Sequence, residues 1–87
     1  MENETFGYRI QLGAASNRNQ LMDLKIRFLK LFPDMPNYLE YQPPQFKFRV
    51  GDFRSRTEAE IVLEEIRKHF PNAFITMGKI RTSRIEW

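Results

Sequence analysis

Apolar and polar residues alternate strictly from Gln45 to Val50. Phe46, Phe48 and Val50 fall on one side, and Gln45, Lys47 and Arg49 on the other. A period of two predicts a strand with one buried and one cationic face. Gly51 is read as a sharp turn that ends this strand, since glycine tolerates such backbone. Ser55 followed three residues later by Glu58 is the spacing of a capping box. It opens a predicted helix from about Arg56 to His69, with Ala59, Val62, Leu63, Ile66 and Phe70 on its buried face. Glu64 and Lys68 are spaced as an i,i+4 ion pair on its surface.

The same plan occurs earlier in weaker form. Tyr8-Arg9-Ile10-Gln11-Leu12-Gly13 matches the organising strand at an offset of 38, which superposes Gly13 on Gly51, Phe28 on Ile66 and Phe32-Pro33 on Phe70-Pro71. Tyr8, Ile10 and Leu12 are expected inward, Arg9 and Gln11 outward. Asn17 with Gln20 repeats the cap, and a helix follows from about Arg18 to Leu31. Leu21, Leu24, Phe28 and Leu31 form its core stripe. Met22, Ile26 and Leu29 form a second stripe, a partly exposed patch suited to a homodimer. Strands are predicted at Asn37–Tyr41, with Leu39 and Tyr41 inward, and at Ala73–Met77, with Ile75 and Met77 inward. Gln42-Pro43-Pro44 is a turn. Two such units are too few for a solenoid and fold on each other.

The order is βαββαβ. Right-handed crossovers then give an α+β, ferredoxin-like fold: a four-stranded antiparallel sheet with both helices on one face. Its opposite face is open and carries Arg9, Gln11, Tyr38, Glu40, Gln45, Lys47, Arg49 and Phe74. Gly13 and Gly51 are expected in equivalent turns about a pseudo-twofold axis. Residues 1–5 are polar and expected to fray, residues 6–79 form the domain, and residues 80–87 are a basic tail outside the repeat.

Composition removes most function classes. The chain has 87 residues, 14 basic and 11 acidic, for a net charge of +3; one small domain with a mild preference for anions follows. Absence of cysteine excludes disulfides and thiolate metal sites. His69 is the sole histidine, at a predicted helix C-terminus where a cation is structural. Glu58, Glu60, Glu64 and Glu65 read as a solvated helix face, and Asp52 as a local turn acceptor. Gly7, Gly13, Gly51 and Gly78 make no phosphate loop. Neither a catalytic group, a metal site nor a cofactor is expected, and no apolar run is long enough for a membrane span or leader.

What is left is a binding platform. Single-stranded nucleic acid is one candidate ligand, because RNA-recognition motifs share the topology. Their third strand exposes aromatics, however, whereas here it exposes Gln45, Lys47 and Arg49. A protein-interaction module working through the first helix is another candidate.

A family resemblance singles out a third ligand class. Tyr8-Arg9-Ile10-Gln11-Leu12-Gly13-Ala14, Phe46-Lys47-Phe48-Arg49-Val50-Gly51-Asp52-Phe53, Ser55-Arg56, Glu58-Ala59 and Asn72-Ala73-Phe74-Ile75 together resemble a SPOR domain (sporulation-related repeat) over about Phe6 to Gly78. The resemblance implies a non-enzymatic module that binds peptidoglycan glycan strands lacking stem peptides. It also implies a periplasmic or envelope setting within a larger exported cell-division protein. Gln11, Lys47 and Phe74 fall on the family's binding positions, with Arg9, Arg49 and Gln45 beside them on the same face. Ala14 stands where the family often has serine, Ala15 where an aromatic is usual, and Gln45 where tryptophan sometimes occurs. Weak affinity for one short glycan is therefore expected.

Overall fold

The computed structural model describes residues 2–83. The chain forms strand β1 (Glu2–Ala15), a single 3-10 turn (Arg18–Leu21), helix α1 (Met22–Leu31), strands β2 (Asn37–Gln42) and β3 (Gln45–Phe53), helix α2 (Arg56–Arg67) and strand β4 (Phe74–Ser83). The sheet order is β2-β3-β1-β4 with every pairing antiparallel. This is the expected ferredoxin-like α+β arrangement, with one sheet face left uncovered by any helix.

The core lies between the sheet and the two helices. Ile10, Leu12, Phe48 and Val50 from the central strands meet Leu21, Phe28, Leu63, Ile66 and Phe70. Phe28 stacks on Phe32 with centroids 5.1 Å apart and meets Phe48 edge-on at 5.9 Å. The helix starts follow local chemistry. Ser55 Oγ accepts from the Glu58 amide at 3.1 Å, as its spacing predicts. Asn17 caps differently from expectation: its Oδ1 accepts from the Asn19 amide at 2.7 Å, and the first turn tightens to 3-10 geometry before α1 begins.

Several expectations are corrected at the ends of elements. Both outer strands run past the limits of 6 and 79. β1 begins at Glu2 and pairs with β4 as far as Ser83, so residues 2–5 are laddered, and the first half of the expected tail is strand. The rest of that tail, residues 84–87, lies outside the described residues. The β1–β4 ribbon runs on past the last β1–β3 pair, Tyr8 with Phe53, and Met77, opposite Tyr8 and expected in the core, is 66% exposed. Tyr41 is exposed at the end of β2, where its ring meets Phe46. Leu31 is exposed because α1 stops before Phe32-Pro33. In the second stripe Ile26 is 48% exposed while Met22 and Leu29 are half-buried. On α2, Lys68 pairs with Glu65 at 2.8 Å instead of with Glu64.

Gly51 does not end β3. It takes φ +79° inside the strand, which continues to Phe53. Between Tyr8 and Ile10 of β1 the partner on β3 jumps from Phe53 to Val50, so β3 carries one extra residue there. Between Gln11 and Gly13 the partner moves only from Arg49 to Phe48, so β1 carries an extra residue in turn. The two glycines thus sit at paired β-bulges, not turns, and Gly13 lacks the positive φ of Gly51. Gly7 has a different role. A Cβ there would collide with the Ile80 side chain and the Phe53 carbonyl, and Ile80 is buried over it on the uncovered face.

A substitution pair tests this reading. Gly51→Ala forces a left-handed alanine whose Cβ overlaps the Phe53 ring; a loss of about 1–3 kcal/mol is expected in denaturant unfolding. Gly78 has no neighbour within 4 Å of a built Cβ, so Gly78→Ala should change stability by less than about 0.5 kcal/mol.

Candidate functional site

The pleat decides which side chains reach the uncovered face. With Ile10, Phe48 and Val50 in the core, Arg9 and Gln11 of β1 and Lys47 and Arg49 of β3 must point the other way. The β1 bulge then resets the alternation, so that Ala14 is paired with Lys47 and joins this face. From the outer strands come Tyr38, Glu40 and Gln42 of β2, and Phe74, Thr76 and Ile80 of β4, by their pairing with outward residues.

These side chains form a bonded layer, not a set of independent solvated groups. Arg9 was expected to be solvated but is 9% exposed. Its Nε donates to Asp52 Oδ1 at 3.0 Å, its Nη1 lies 3.6 Å from Glu40 Oε2, and its guanidinium rests 3.9 Å from the Tyr38 ring centroid. Asp52 was read as a local turn acceptor. It is the hub of the network instead, accepting from Arg9, from the Tyr38 hydroxyl and from the Arg81 amide at 3.1 Å. The positive φ of Gly51 permits this, because the bulge carries Asp52 onto the uncovered face.

A second network neighbours the first. Arg49 Nε donates to Gln11 Oε1 at 3.0 Å and Arg49 Nη2 to Gln42 Oε1 at 3.2 Å. Gln11 and Arg49 are opposite each other in the ladder and 38 residues apart. Each is therefore the other's counterpart in the repeat, and the pseudo-twofold relation between β1 and β3 passes between them. The same offset relates Arg9 to Lys47 and Asp52 to Ala14. Arg9 has its acid, whereas Lys47 has Ala14 opposite on β1 and Glu40 opposite on β2 and forms no ion pair among the described residues. The network is symmetric in position and asymmetric in charge.

A cleft of about 400 Å³ crosses the strands, lined by Arg9, Glu40, Gln42, Arg49, Thr76 and the stretch Met77–Ile80. Of the residues expected to form the site, Arg9 and Arg49 line this cleft, and Gln11 lies beneath Arg49 at 7% exposure. Lys47 adjoins it through its cross-strand partner Glu40. Gln45 is exposed at the hairpin end, opposite Gln42. Phe74 is half-exposed opposite Gln11 and also borders a groove beside α2. Gln42 and Asp52 escaped sequence reasoning because strand β2 was ended at Tyr41 and β3 at Gly51. Extending the alternation one residue further would have placed Gln42 outward.

The electrostatics follow the geometry. Burial pulls the Arg49 guanidinium below its usual range; the charge of Glu40 opposes this and that of Arg9 adds to it. Tyr38 is pushed up to about 12, first by burial and then by its hydrogen bond to the Asp52 carboxylate. Among the described residues no group of three or more His, Asp or Glu side chains is arranged to hold a metal ion, and no helix is long and apolar enough to cross a membrane. The arrangement suits recognition of an acceptor-rich polar ligand.

The family model described as SPOR domain matches residues 4–76. No curated protein and no solved structure gives a match.

The Tyr38 network has a measurable titration. The fold holds the neutral phenol, so this stabilisation is complete below pH 10 and is lost as pH rises through about 12. A phenolate absorbance step near pH 12 is expected, absent in Tyr38→Phe and moved downward in Asp52→Ala. Because the Arg9–Asp52 pair is nearly buried, Asp52→Ala should also destabilise by about 3 kcal/mol in denaturant unfolding.

Proposed function

The chain belongs to the SPOR domain family, and from that membership we propose a non-catalytic module that binds peptidoglycan through its uncovered sheet face. The ligand is a glycan strand stripped of its stem peptides, and binding brings a larger envelope protein to the division site. The observation that carries this reading is Lys47, a cation on a polar face that stands opposite Glu40 but contacts no acid among the described residues, whereas its repeat counterpart Arg9 is held by Asp52. A stripped strand offers a free lactyl carboxylate to meet it, and charge-assisted bonds of this kind are the stronger ones. N-acetyl groups and hydroxyls supply acceptors for the neighbouring amides. Phe74 offers an apolar surface to the C–H face of a sugar ring.

Stacking of successive bases is disfavoured by the same geometry, since Phe74 is the one open ring of this face among the described residues. Tyr38 is the aromatic of this face on β2, and the Arg9 guanidinium already covers its ring. A nucleic-acid platform needs such rings available to stack on bases.

Co-sedimentation with bacterial sacculi, intact or stripped by an amidase, tests the proposal. Retention should be greater on stripped sacculi. Lys47→Ala should weaken it by about tenfold, the worth of one charged hydrogen bond, and flatten its salt dependence. Ala14→Asp places an acid opposite Lys47, as Asp52 stands to Arg9, and should do the same with the fold intact. Phe74→Ala should weaken retention without changing the salt slope. Equal retention of wild type and all three variants on both kinds of sacculus would remove the site assignment.

A further inference from the structure

Arg49 lies along the sheet between two carbonyls, Gln11 Oε1 at 3.0 Å and Gln42 Oε1 at 3.2 Å. A guanidinium has five N–H donors, and these bonds use two. No carboxylate contacts it among the described residues, whereas Arg9 has two. Each glutamine gives its carbonyl to Arg49, which leaves its amide N–H donors for something else. Those of Gln11 have no partner among the described residues, although the residue is 7% exposed. Buried donors without partners are rare in folded proteins. Gln42 lines the cleft beside Arg49, and the one acid there, Glu40, lies 3.6 Å from Arg9 and reaches Arg49 through its charge, without a contact.

We propose that Gln42 is a specificity-determining residue that, by fixing Arg49, makes its side of the cleft a donor array for a carboxylate. The inference rests on the peptidoglycan reading and names what the face selects. A free lactyl carboxylate brings only acceptors and a negative charge to Arg49 and the two amides. A lactyl group carrying a stem peptide is an amide. It has lost the charge, and its own N–H meets donors. Discrimination then comes from an unfavourable contact as well as a favourable one.

The test uses the full chain and stripped sacculi. Gln42→Glu is nearly isosteric, and its carboxylate can still hold Arg49 while cancelling its charge. A purely structural Gln42 would tolerate this change, with binding and salt slope as in wild type. The proposal expects an unchanged or higher melting temperature, with retention down by at least about tenfold and a flatter salt slope. Gln42→Met, which cannot accept a strong hydrogen bond, should release Arg49 and give a smaller loss. A second arm uses Lys47→Ala, which lacks the other contact assigned to a lactyl carboxylate. Stripped sacculi whose carboxylates are converted to methylamides with methylamine and a carbodiimide should retain this variant about tenfold less well than untreated ones. Equal retention of Lys47→Ala on methylamidated and untreated stripped sacculi overturns the proposal while leaving glycan binding in place, and so does wild-type behaviour of Gln42→Glu. Failure of wild type to bind any sacculus overturns both readings.

Discussion

Phe28 reaches from α1 into the centre of the molecule, where it meets Phe32, Phe48 and Phe70 at centroid distances between 5.1 and 6.1 Å. These rings come from the end of α1, from β3 and from the chain after α2, so one aromatic cluster joins the two halves of the repeat. Removing such a ring from a core typically costs about 3–5 kcal/mol, a large part of the stability of a domain this small. The cluster requires Phe48 and Val50 to face the helices. The pleat then obliges Lys47 and Arg49 to face away from them. The polar, uncovered surface is thus the necessary complement of the core and shares its register.

Elements whose pattern is set by burial were legible in the sequence. The alternation at Phe46-Phe48-Val50 and the helical spacing of Ala59, Leu63 and Ile66 gave the sheet, the helices and their sides. The outer ends were not legible, because nothing local distinguishes a β1–β4 ribbon that outruns β3 from a frayed terminus. Gly51 was misread for a related reason. A turn and a β-bulge make the same demand for a left-handed residue, and only the pairing partner separates them. The site was legible as a set of outward residues and illegible as a network. Arg9 and Arg49 are both outward cations in the sequence. Only the position of Asp52, set by the bulge, makes one a neutralised strut and leaves the other among neutral carbonyls.

A polar layer of this kind is costly to build. Arg9 and Gln11 are removed from water almost as fully as the core residues, and such groups are tolerated when their bonds are satisfied. Arg9 meets this condition through Asp52, Glu40 and Tyr38. Arg49 and Gln11 meet it in part, through each other and Gln42. The first network therefore serves as scaffold, and the second retains unmet demand for acceptors on a surface that is already ordered. A ligand arriving there encounters donors held in place before binding, which lowers the ordering cost of association.

The repeat gives this face a sense of direction. The relation between β1 and β3 makes its shape nearly two-fold, so a polymer lying across it could in outline be reversed end for end. The charges forbid the exchange. Reversal would carry an anionic group from Lys47 to Arg9, whose charge Asp52 already answers. Differences between counterparts, alanine at position 14 against aspartate at position 52 and glutamine at position 11 against arginine at position 49, thus give this surface a head and a tail. On the proposed reading the ligand is a glycan strand, whose ends differ, and binding it in one orientation would also fix which way an attached protein faces along the wall.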